Sequence, residues 1–198
     1  MFQQIARFTS MTANLEMTDS NCVQNARYSF IASARCARNF VDATLEAVAS
    51  LNGRHELPEA DAPDDWCLIT RGIVRGAMDF GANLEAVGQG IMLAAIRGAK
   101  SEPPRIETVK AVAEVGLHET IALGGDFEAM ACGMACGASE GGREEGHEEE
   151  FFMTATAEGA YAGANRSGYI VDQRVERAIR KTPSAVAHAA SCSADMRD

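Results

Sequence analysis

The sequence predicts an all-α fold: an antiparallel bundle of four to five helices, two of them long, with Gly/Ala-rich packing stripes. Three observations lead there. Val, Ile, Thr and Tyr nowhere alternate with polar residues over a useful stretch, whereas Ala, Leu, Met, Glu and Arg dominate, a bias towards helix. Only 5 prolines occur among 198 residues, so long uninterrupted segments lie between them. Hydrophobic residues make up 46% but aromatics only 6%, so the core must be aliphatic and rich in small side chains.

Residues 1–52 read as an N-terminal helical segment. Phe2 to Leu15 forms a short helix of its own. A longer one runs from Ser20 to Leu51, capped by Asp19 or Ser20 and stopped at Asn52-Gly53. Val23, Phe30, Ala34, Ala37, Val41, Leu45 and Val48 give it an apolar stripe. Residues 53–65 form an acidic, proline-bearing linker ending in Asp64-Asp65, carboxylates suited to a helix N-terminus.

Residues 66–182 form the main helical domain. One long helix is expected from Asp65 to Lys100, with Gly72, Gly76, Gly90, Ala94 and Gly98 in one narrow sector. A further helix is expected from Ile106 to Ser139, with a break at Gly124-Gly125. Residues 140–150 read as an exposed acidic loop, 151–166 as helix, and 169–181 as a short basic helix. Residues 183–198 read as a flexible tail.

Gly72 to Ala77 is echoed at Gly90 to Ala95, 18 residues and five helical turns later, with related patterns at Gly133/Gly137 and Gly159/Gly163. Glycine costs a helix about 1 kcal/mol relative to alanine, so its repeated use demands a compensating close approach of another backbone. These nine small residues are the expected helix-packing interface.

Lys and Arg number 18 against 28 Asp and Glu, a net charge of −10 that argues against nucleic acid as a partner. No apolar stretch is long enough for a transmembrane segment, no signal peptide is apparent, and the six cysteines form no CxxC pair, so a reduced, cytoplasmic protein is expected.

No catalytic constellation stands out. Gly137-Ala138-Ser139-Glu140-Gly141 fits the form GxSxG, but in a helical rather than strand-to-helix context. Glu144-x-x-His147 has the spacing of one half of a carboxylate-bridged metal site, without a second copy. Cys132 and Cys136 stand one helical turn apart, with His118 upstream, and present two thiols to a metal. The leading functional expectation is a non-catalytic scaffold that forms a homo-oligomer or binds a helical partner through the Gly/Ala-rich faces, Gly72, Gly76 and Gly90 above all, without a cofactor. The alternatives are a metal-binding helical-bundle protein or enzyme that holds a divalent metal through Glu144, His147, His118, Cys132 and Cys136, and an amphipathic coat on a peripheral membrane or granule surface.

Overall fold

The computed structural model describes residues 20–53, 63–99, 104–146, 149–168 and 173–180. The expected helix at Phe2 to Leu15, most of the 53–65 linker, His147 and the 183–198 tail lie outside the described residues. Within them the chain is all-helical, with eight helices in place of the four to five expected. These are α1 (20–34), then α2 (Phe40–Gly53), α3 (Pro63–Phe80), α4 (Leu84–Gly98), α5 (Pro104–Ala122), α6 (Phe127–Glu145), α7 (Glu149–Arg166) and α8 (Gln173–Arg180).

Three expectations need correction. The Ser20–Leu51 helix breaks over 35–39, where Asn39 caps α2 by accepting from the Asp42 N–H at 2.8 Å. The Asp65–Lys100 helix breaks at Gly81, whose φ of +72° no continuing helix tolerates. Asn83 then caps α4, accepting from the Glu85 and Ala86 N–H groups. The 18-residue echo therefore falls on two helices, not on one face of one helix. Residues 140–145, expected as loop, continue α6, because Gly141 and Gly142 are buried against Ile96 and Glu149 and only Gly146, at φ +96°, ends the helix. The break expected at Gly124-Gly125 is present, again with a glycine at φ +72°, followed by Asp126 as cap.

These turns disclose the organisation. Gly81, Gly124 and Gly168 all have φ near +70°, and they stand 43 and 44 residues apart. Gly81-Ala-Asn-Leu-Glu-Ala86 matches Gly124-Gly-Asp-Phe-Glu-Ala129 in turn glycine, cap and first helical turn. The chain is an array of helical hairpins in which each helix packs on the helix two places earlier. The helices α2, α4, α6 and α8 contact in succession in one layer, and α3, α5 and α7 in the other. Helix α1 joins the second layer through Val23, Ala26, Arg27 and Phe30, which meet Gly72 and Gly76 of α3. Such arrays are stabilised mainly by nearest-neighbour interfaces.

Glycines hold these seams close. A Cβ on Gly72 or Gly76 would meet the carbonyl oxygens of Val23 and Arg27, one on Gly133 or Gly137 those of Glu85 and Gln89, and one on Gly159 or Gly163 those of Lys110 and Glu114. Each glycine and its carbonyl are 48 or 49 positions apart, so the seams are parallel and share one register. Backbones this near gain dispersion and Cα–H···O contacts that compensate for the poor helix propensity of glycine. Ion pairs border the seams: Arg27–Asp79, Lys110–Glu158 at 2.8 Å and Arg166–Glu114 at 3.0 Å. Arg71 and Arg75 of α3 both reach the buried Glu119 of α5.

Between the layers the core holds Phe30, Trp66, Ile73, Ile91, Met92, Leu117, Met130 and Phe152. Thr70 is fully buried there and its hydroxyl has no hydrogen-bond partner among the described residues. Replacing a buried unsatisfied hydroxyl by a methyl removes its desolvation cost. Thr70→Val is therefore expected to raise stability by about 1 kcal/mol. A higher urea midpoint checks this, and a lower one contradicts it.

Candidate functional site

Among the described residues, the α4/α6 seam carries the chemically densest group of side chains. Asn83 starts α4 so that Glu85 lies in its first turn, while α6 places Cys132 and Cys136 one turn apart facing it. Gly133 fixes the separation: an ideal Cβ there would lie 1.9 Å from the Glu85 carbonyl oxygen, so only glycine lets the two backbones meet at this point. Gly137 does the same against Gln89 one turn on. The result is that one Glu85 carboxylate oxygen and both sulfurs lie within 4.8 Å of one another. Cys132 Sγ–H donates towards Glu85 Oε1 at 3.6 Å.

Both cysteines are half-buried and Glu85 is exposed, so the group opens to solvent on one side. Burial, then the neighbouring Cys136 and Glu85, pushes the Cys132 thiol up to about 12. The Cys136 thiol is raised as well, chiefly by burial. At neutral pH both are thiols and poor nucleophiles. Just beyond them, Gln89 Nε2 donates to Glu140 Oε2 at 2.7 Å.

The other expected metal ligands go elsewhere. Glu144 accepts two hydrogen bonds from Arg97, at 2.9 and 2.7 Å, and that guanidinium holds its carboxyl below the usual range. His118 Nδ1 is paired with Ser167 Oγ at 2.7 Å, on the α5/α7 side of the array. His147 lies outside the described residues. The structure thus joins Cys132 and Cys136 to Glu85, a residue that helix periodicity could not single out because it comes from another helix.

Ser139 sits in the middle of α6, buried, with its hydroxyl donating to Glu149 Oε1 at 2.7 Å. It does not stand on a strand-to-helix elbow, and its partner is a carboxylate rather than the histidine that activates a serine nucleophile.

Comparison of the chain with known protein families, curated proteins and solved structures finds no match.

The small residues expected as a packing interface distribute over several seams. Gly72 and Gly76 abut α1, Gly90 abuts Val41 and Thr44 of α2, and Gly98 lies against the Trp66 ring at the far end of its own hairpin. Gly133 and Gly137 meet α4, and Gly159 and Gly163 meet α5. Ala94 is buried in the core cluster. All of these contacts are within one chain. No helix among the described residues is long and apolar enough to cross a membrane.

Proposed function

We propose that the protein is a non-catalytic assembly protein, a stiff array of helical hairpins that self-associates end to end. The observation that carries this reading is the position of the two most exposed large aromatics among the described residues. Tyr28 on α1 and Phe151 on α7 are each 63% exposed, and these helices are the first and last described members of the same layer. Tyr28 lies on the side of α1 turned away from the residues that meet α3, as the 100° step from Ala26, Arg27 and Phe30 requires. An array that grows by adding each helix to the one two before has two unlike ends. Joining one end to the other is a heterologous contact, which closes a ring or extends a filament. The seam glycines are already filled by the chain's own helices, so they build the array, and the exposed aromatics on α1 and α7 are left to join copies. The acidic surface keeps such an assembly soluble.

Size-exclusion chromatography with light scattering tests the reading. A mass above 21.1 kDa that rises with concentration is expected for the native chain. A Tyr28→Lys, Phe151→Lys double variant is expected to elute as a monomer with unchanged helix content. A native chain that stays monomeric at every concentration up to its solubility limit refutes the proposal.

A further inference from the structure

We infer that Glu85, Cys132 and Cys136 form a binding site for a thiophilic divalent cation of the zinc class, tying α4 to α6. The inference is independent of self-association and stands on the geometry of the α4/α6 seam.

Bond lengths of roughly 2.3 Å to sulfur and 2.1 Å to oxygen require a sulfur–oxygen edge of about 3.6 Å in a tetrahedral site. The Cys132 Sγ to Glu85 Oε1 distance is 3.6 Å. A sulfur–sulfur edge of about 3.8 Å is needed on the same geometry. All three donor atoms already lie within 4.8 Å of one another, so small side-chain rotations complete the set. The backbone does not have to move, because Gly133 and Gly137 have already brought the helices together.

A disulfide is the competing use of two neighbouring cysteines, and the helix disfavours it. Residues four apart on a helix hold their Cβ atoms about 5–6 Å apart. A disulfide needs them at roughly 3.5–4.5 Å. An ion between the sulfurs spans the wider gap without unwinding α6. Two sulfurs and one oxygen suit zinc and disfavour calcium or magnesium, which take oxygen ligands in larger number. Three protein ligands with a solvent-facing side leave the fourth position to water. On binding, the two thiols release their protons to solvent, and the cation offsets the mutual repulsion of the three anionic groups.

The experiment uses the reduced full chain with Zn²⁺, and Co²⁺ as its spectroscopic substitute. One ion per chain is expected, with a thiolate-to-cobalt charge-transfer band. Alkylation mapped by mass spectrometry is expected to show Cys132 and Cys136 protected by Zn²⁺, and the exposed Cys36 unprotected. Cys132→Ser and Cys136→Ser each abolish the band. Glu85→Gln, at an exposed position that leaves folding intact, weakens binding by more than about tenfold, the least expected when a ligand itself is lost. The native chain in the alkylation assay keeps the test decisive even where a serine variant folds poorly. Absence of protection, a band that persists in either serine variant, or unchanged affinity in Glu85→Gln overturns the assignment.

Discussion

Gly133→Ala is expected to destabilise the protein by about 2–3 kcal/mol, the upper part of the range for overpacking a fixed interior. The sign is the informative part. Within an isolated helix the same change gains about 1 kcal/mol. Here the new methyl would occupy a point 1.9 Å from the Glu85 carbonyl oxygen, with the Glu85 carbonyl carbon and Cα also within 3 Å. That neighbour is backbone and has no rotamer to escape into. The seam must open, and Gly88 against Met130 and Gly137 against Gln89 resist along the same line of contact. Gly133→Val costs more. Thr154→Ala, on an exposed position of α7, is the control and stays within about 0.5 kcal/mol of the native chain. Urea denaturation followed by circular dichroism checks the series. A gain in stability for Gly133→Ala would show that α4 and α6 do not pack as described.

Trp66→Ala is expected to cost about 3–5 kcal/mol, the usual loss on truncating a buried large aromatic. For a chain of this length that corresponds to a melting temperature lower by roughly 6–20 °C. Trp66 is 2% exposed and stands in the first turn of α3. Its ring lies over Gly98 at the end of α4, where even a Cβ would approach Cζ2 to 2.5 Å. The indole therefore closes the open end of this hairpin, opposite the Gly81 turn. It is the only tryptophan in the chain, so no other indole is available to fill the space. Trp66→Phe keeps much of the burial and falls between the two. A loss below 1 kcal/mol would mean that this end of the hairpin is not closed in the way described.

Much of the fold was legible before any coordinates. Helical character, the break at Gly124-Gly125, the helix over 151–166 and the short basic helix, described over Gln173–Arg180 of the 169–181 expected, follow from propensity and punctuation, which act locally. The misread segments failed for a single reason. Gly81 stands among apolar, helix-compatible residues yet ends a helix at φ +72°, whereas Gly142 stands in a charged run yet is buried inside a helix against Glu149. What separates them is what each backbone meets, and that is tertiary information. The 18-residue echo was an accident of common small residues, while the 43-residue recurrence of turn, cap and first turn was present but diluted by unlike helix interiors.

The candidate site divides along the same line. Cys132 and Cys136 could be paired from their spacing, because one helical turn is a local property. Glu85 could not be added, nor Glu144 and His118 removed, without knowing which helices lie side by side. The sequence by itself determined that the chain is helical, acidic and built to bring backbones close, since composition and propensity act residue by residue. Only the tertiary structure decided which backbones meet: glycines 48 or 49 residues from the carbonyls they touch, and a carboxylate carried by one helix to two thiols on another. Such pairings depend on the parallel stacking of alternate helices, a relation between distant segments that no local pattern encodes.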